Sequence, residues 1–194
     1  MYESIRFGKY EWLILDKFEG NIALILAKNS IEQRAYHSRR AKTTWEKCTM
    51  RQYLNHEFYN TFSEGDKARI QNTKIATNDN PWFGTDGGTD TFDKAFLLSL
   101  EEVVQYLGNS KAPLKQAKMH SPDSWNDEKS SYYISNYDNK RRKAYDKNGA
   151  ECWWWLRTPG DDKKSAALVS VVGAVSSGNV NCAGGVRPAM VVKL

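Results

Sequence analysis

Cysteine and histidine are scarce, three of each in 194 residues. Cys48, Cys152 and Cys182 show no CxxC spacing, which excludes a zinc ribbon, and their odd number argues against a disulfide framework. His37, His56 and His120 are widely spaced, and no HExxH, phosphate-loop or GxSxG run occurs. A hydrolase with a familiar nucleophile or metal signature is therefore not expected. Long apolar runs are missing too. No window approaches the roughly 20 apolar residues of a membrane helix, and the opening MYESIRFGKYEW lacks the apolar stretch of a signal peptide. These absences predict a chain with no membrane association, cytoplasmic as given, with export of a longer precursor left open.

Aromatic residues and positive charge are abundant. There are seven Trp and ten Tyr, and the net charge is +5 with a pI near 9.0. Lys and Glu alternate along most of the sequence, as on an ordinary solvated surface. The dense basic clusters are residues 34–42 and 140–147, both read as loops or element ends. Nucleic-acid binding through them is a disfavoured alternative.

The segment 10–27 reads as a hairpin around Gly20. The run TTWEKCTMRQYLNHEFYNTF predicts a helix capped by Thr43 or Thr44, with Trp45, Cys48, Met50, Tyr53 and Leu54 near one stripe and Cys48 as a small core residue, and Phe58 and Phe62 open to a second short helix. Ser63 is placed to cap a short further helix. Residues 74–94 form a long Asn-, Asp- and Gly-rich loop, followed by AFLLS as a short buried strand. Ser99, with Glu102 three residues on, opens a capping box for SLEEVVQYLG, which Gly108 ends. Residues 109–150 read as a polar excursion within a single domain spanning 1–194. Strand-like runs then close the chain: CWWWLR, AALVSVV and RPAMVVKL. The fold class expected is α+β, with helices in the first half and a twisted antiparallel sheet closed by the N- and C-terminal strands.

Asp79, Asp86, Asp90 and Asp93 lie in or beside the Gly-rich loop. Such oxygen-rich loops hold calcium in some proteins. Here the spacing matches no EF-hand and favours Asx-turns, so no cofactor is expected, calcium being the one ion the composition admits.

Five motifs in order carry a resemblance: IRFGKYEWLILD, TTWEKCTMRQYLNHEFY, GTDGGTDTFDKAFLLS, WWLRTPG and GVRPAMVVKL. They resemble a bacterial domain family of unknown function whose members share FGxYxWxVLD, TWxxCxLRxWLNxxFY, GTxGGxxTxDKxFLLS, WWLRSPG and GVRPAxxL. Thr158 and Met50 depart from the family's usual Ser and Leu. The C-terminal half is similar, more loosely, to the C-type-lectin-like fold of formylglycine-generating enzymes and of the variable proteins of diversity-generating retroelements. The resemblance implies that the Trp-rich strand belongs to the core sheet, with Trp153 and Trp155 on one side and Trp154 on the other. It also implies that Arg157 and Arg187 are structural, near each other or near buried carbonyls.

The function expected on these grounds is that of a non-catalytic recognition module. The formylglycine-generating alternative needs a cysteine pair that cannot be aligned here. From residue 165 to 189 there is no Lys, Glu, Gln, Met or Trp. Adenine-directed mutagenesis of an AAC-type codon cannot produce those five types, so the segment is compatible with a diversified region as well as with small residues in a tight sheet. Strand alternation places Ala167, Val169, Val175, Val180 and Val186 inward. Ser170, Val172, Ser176, Ser177, Asn179, Asn181 and Ala183 are then expected outward on one contiguous face, flanked by Asp161 and Asp162. That face is shallow, which suits a protein or glycan ligand better than a small cofactor.

Overall fold

The computed structural model describes residues 2–108 and 141–194. Most of the expected polar excursion, with His120 and Lys140, lies outside the described residues. Its last ten residues, 141–150, lead into a small hairpin.

Strands β1 (Ser4–Phe7), β2 (Tyr10–Phe18) and β3 (Ile22–Ala27) form an antiparallel meander. The β2–β3 turn is built by Gly20 and Asn21, both at positive φ (74° and 61°). Such a turn matches the twist of a hairpin, and only Gly or a residue like Asn adopts it cheaply. Strand β4 (Glu32–Ala35) follows, where the sequence reads as the start of a basic loop.

The predicted long helix is broken into turns: a 3₁₀ turn (Trp45–Lys47), α1 (Thr49–Tyr53), a π turn (Leu54–Phe58) and a second 3₁₀ turn (Tyr59–Thr61). Two residues explain the breaks. Cys48 is extended (φ −74°, ψ 152°), and its sulfur accepts from the Arg51 amide at 3.4 Å, so the buried thiol and not a threonine caps α1. Asn55 donates to the Arg51 carbonyl at 3.1 Å and to the Ala95 carbonyl at 2.9 Å, and such a side chain inserted beside the ladder accompanies the π widening. The apolar stripe survives: Trp45, Cys48, Met50, Leu54, Phe58 and Phe62 are buried. Ser63 caps α2 (Glu64–Lys67).

Strands β5 (Thr73–Ile75) and β6 (Thr91–Asp93) pair at the base of the long loop. Residues 95–98 are buried, but a lone bridge, Phe96 to Ala189, replaces the expected strand. Helix α3 (Leu100–Leu107) carries the full Ser99–Glu102 capping box and stops at Gly108. Strands β7 (Ala144–Tyr145) and β8 (Glu151–Cys152) make the small hairpin. Strands β9 (Trp154–Pro159), β10 (Ser165–Val169), β11 (Val175–Asn179), β12 (Ala183–Val186) and β13 (Ala189–Lys193) complete the chain.

The strands sort into two main sheets, β1-β2-β3-β13 and β11-β10-β9-β12-β4. The N- and C-terminal segments do meet, since β3 pairs with β13 from Leu26–Ala189 to Ile22–Lys193. They do not close a single sheet, and β12 pairs with β9 in parallel, so the expected closed antiparallel sheet is not what forms among the described residues. The cause lies between β12 and β13. Pro188 has no N–H to continue a ladder. The chain crosses there from the second sheet to the first, with the Val186 carbonyl accepting from Ile31 and the Pro188 carbonyl from Ala27. The architecture is α+β with few helical residues.

Candidate recognition surface

The three tryptophans separate by strand alternation. Trp155 is paired across the ladder with Leu168, and Trp154 with Val169, so the two side chains enter opposite faces. Trp153 packs edge-on to Trp155 with ring centroids 4.8 Å apart. Trp154 and Trp155 are fully buried and Trp153 half-buried. Gly184 has no side chain because a Cβ there would run into the Trp153 ring and Trp155 Nε1.

The two expected structural arginines satisfy carbonyls, in separate places. Arg157 donates to Ala76 O (3.2 Å) and Leu97 O (2.8 Å) and grips Glu102 with both terminal nitrogens (2.5 and 2.9 Å). Arg187 is buried over the Trp154 ring, 4.9 Å from its centroid, and donates to Ala27 O (2.8 Å) and Lys28 O (3.1 Å). Burial pushes the Arg187 guanidinium down to about 10, even with Cys152 and Tyr2 nearby to favour its charge.

The expected inward residues Ala167, Val169, Val175, Val180 and Val186 are all buried. Simple alternation fails for β10, whose five residues are all buried, so that both of its faces are covered, Leu168 lying against Gly178 on one of them. The expected outward residues are exposed or half-buried, but they do not form one face. Cross-strand partners share a face. Ser176 therefore sits with Leu168, while Ser177 and Asn179 sit opposite with Ala167 and Ser165. Ser170 and Val172 lie in the β10–β11 turn, which is closed by Ser170 N donating to Ala174 O (2.7 Å) and Gly173 N donating to Ser170 O (2.9 Å). That turn is a full strand length, roughly 13–17 Å, from the Ser165–Asn179 end.

At that other end the chain gathers Asp161, Asp162, Ser177, Asn179, Asn181 and Ala183. Asp161 Oδ1 accepts from Ser165 Oγ (2.6 Å) and Ser177 Oγ (2.8 Å). Burial alone would raise the Asp161 carboxyl; the hydrogen bonds from Ser165 and Ser177 and from backbone amides outweigh it and hold it below the usual range. Asp162 Oδ1 accepts the Lys164 amide at 2.6 Å. The turn beyond β11 is anchored on both sides: Val180 N donates to Lys164 O (3.0 Å), Val180 O accepts from His37 N (2.8 Å), and Cys182 N donates to Asn179 O (2.9 Å). Asn179, Asn181, Cys182 and Ala183 are exposed above this anchored backbone. Sequence reasoning missed Ser165 as Asp161's partner and missed the loop after β4 as a neighbour. Only the register and long-range backbone bonds show either.

The basic clusters resolve unevenly. Arg34 is committed to Glu32 (2.8 Å) and Glu57 (3.7 Å) and stacks 3.8 Å over the Tyr53 ring. Lys143 pairs with Glu151. In the Gly-rich loop the carboxylates already have tasks. Asp79 accepts from Gly87 N, Asp86 from Gly88 N and Asp90 from Thr77 N, all as turn-holding contacts. Asp93 is inside the core. A cavity of about 10 Å³, lined by Thr77, Asp79, Ser99, Arg157 and Pro159 among others, has room for roughly one water.

All three cysteines are free thiols. Burial pushes the Cys48 thiol up to about 12, and burial also raises Cys152, while Cys182 is exposed. Only a thiolate attacks. A thiol-exchange reagent at pH 8 should thus titrate one cysteine quickly in the native chain and three after denaturation. Cys182→Ser should remove the fast one. Fast modification of two thiols would show that Cys152 is accessible.

Among the described residues, no helix is long and apolar enough to cross a membrane. No curated protein and no solved structure matches the chain. A family model matches over residues 20–194, and its description is that of a domain of unknown function, DUF6273. A match over that share of the sequence assigns the family: the chain belongs to the DUF6273 domain family.

Proposed function

We propose that the chain is a non-catalytic recognition module on a C-type-lectin-like scaffold, binding a protein or glycan ligand through the Ser165–Asn179 end of the β10–β11 hairpin. The observation that carries this reading is the anchored turn. Its backbone is pinned to Lys164 and His37 while Asn179, Asn181, Cys182 and Ala183 hold their side chains in solvent beside Asp161 and Asp162. Exposed side chains on a fixed base lose little freedom on binding. The scaffold reading is supported by the adjacency of the strands at the two ends of the chain, β3 and β13, and by the Trp-rich strand lying beside the Gly-rich strand that ends in Val186. Ser170, Val172 and Ser176 are left outside the proposed surface.

The same geometry limits the diversification reading. Residues 165–169, 173–175, 180 and 184–189 are buried, so any retroelement-driven variation is tolerated chiefly at the remaining positions of 170–183. Varied residues at the buried ends would break the core.

The test is unbiased selection of displayed peptides and arrayed glycans on the immobilised chain, repeated on an Asn179→Trp/Asn181→Trp variant. Both changes are at exposed sites and should leave stability within about 0.5 kcal/mol each. Enriched binders that lose the variant support the reading. Binders indifferent to the variant, or no enrichment, refute it.

A further inference from the structure

The backbone bonds that anchor this turn also assemble a basic surface that neither half of the sequence shows. The loop after β4 contributes Arg39, Arg40 and Lys42, and the β9–β10 turn contributes Lys163 and Lys164. Thr43 N donates to Lys163 O at 3.0 Å, which sets Lys42 beside Lys163. Lys164 O accepts from Val180 N, and Val180 O from His37 N, which brings the Arg39–Arg40 side of the loop to the same turn. All five cations are exposed, and among the described residues none forms an ion pair. That contrasts with Arg34, Lys17, Lys28 and Lys143, each already paired with a glutamate. His37 adds no charge at neutral pH: burial, and then the nearby Arg39, hold its imidazole below the usual range.

Unpaired cations grouped on one surface attract an anionic partner. Which anion is decided by the residues among them. Asp161 and Asp162 stand in the β9–β10 turn, and Asn179 and Asn181 in the next one. Asp161 and Asp162 repel any anion that covers them, and a phosphodiester backbone, which offers acceptors only, has no N–H to give their remaining oxygens or those of Asn179 and Asn181 in compensation. A polypeptide offers both: acidic side chains for the five cations, and amide N–H groups for the Asp and Asn oxygens. Resting on the recognition reading above, we infer that the partner is an acidic polypeptide segment that docks across Arg39, Arg40, Lys42, Lys163 and Lys164.

The probe is a fluorescein-labelled ten-residue peptide of alternating Glu and Asp, its binding to the whole chain followed by fluorescence anisotropy. Arg39→Ala/Arg40→Ala and Lys163→Ala/Lys164→Ala each remove two charges from the patch. Lys17→Ala/Lys28→Ala removes two from β2 and from the residue that follows β3, as a control. Each patch variant should weaken binding about tenfold, the control no more than about twofold, and raising the salt to 0.5 M should weaken wild-type binding sharply. Circular dichroism confirms that all three variants fold. Equal loss in the control, absence of peptide binding, or tighter binding of a 20-nucleotide DNA or of heparin than of the peptide would overturn the inference. The library selection separates this from the recognition reading. Enriched peptides that need Asn179 and Asn181 but carry no acidic excess sink the acidic partner alone, whereas binders indifferent to those residues sink the reading beneath it.

Discussion

Trp155→Ala should lower stability by about 3–5 kcal/mol, the range for deleting a large aromatic side chain from a packed core. The residue is fully buried at the centre of an aromatic cluster, with Trp153 at 4.8 Å and Tyr36 at 5.7 Å between ring centroids. Its indole Nε1 donates to Arg34 O at 3.1 Å. Truncation leaves that carbonyl without its donor and opens a cavity next to Gly184, which has no side chain to move into the gap. Trp154→Ala should cost a similar amount by a different route, since it removes the ring under the Arg187 guanidinium and the Nε1 donor to Arg142 O (2.9 Å). Trp153→Ala, half-buried, should cost clearly less. Urea unfolding of the three variants gives the ranking. If Trp155→Ala loses under about 1.5 kcal/mol, the Trp-rich strand is not the keystone of the second sheet, and Trp153 and Trp155 become candidate ligand contacts.

The parts of this fold that are legible in the sequence are those set by local chemistry. Ser99 with Glu102 announces a helix start wherever it stands, and Gly20 before Asn21 announces a hairpin turn. Three consecutive tryptophans on a strand must divide between two faces. The parts that are not legible depend on partners distant in the chain. Nothing local shows that Cys48 is extended, so the stretch from Trp45 to Leu54 reads as one helix, with at most a second at Phe58, when the run to Thr61 is four turns. Ser176 and Ser177 look alike in sequence, and only the register against Leu168 and Ala167 shows that they face opposite ways. The candidate surface fails as one face for the same reason: alternation predicts in or out, but not which residues share an end of a hairpin. The basic patch is more extreme. Arg39 and Lys163 sit in separate halves of the sequence: the first lies in a run visibly dense in positive charge, but Lys163 and Lys164 follow two aspartates and look like ordinary surface.

The largest electrostatic effect should come from Arg51→Ala, at about 3–5 kcal/mol, because it leaves a carboxylate buried without its counter-charge. Asp93 is fully buried; its Oδ1 accepts from Arg51 Nε at 2.7 Å, and its Oδ2 from Trp45 Nε1 at 2.9 Å and Thr91 Oγ1 at 2.7 Å. Removing Arg51 leaves two neutral donors against a full negative charge in the core. The cost would then come from the charge, not the lost contact. Arg51→Ala/Asp93→Asn should accordingly be more stable than Arg51→Ala alone, since the amide oxygen still accepts from Trp45 and Thr91 and no charge is stranded. The double-mutant cycle measures this coupling directly. The site also explains why two separated stretches of sequence belong together: Trp45, Arg51 and Asn55 from the first hold Asp93, Lys94 and Ala95 of the second, with Asn55 Oδ1 accepting the Lys94 amide at 2.6 Å. An Arg51→Ala loss below about 1 kcal/mol, the scale of an exposed ion pair, or a double variant less stable than the single one, would mean that water reaches Asp93 and that the two stretches are held by apolar packing alone.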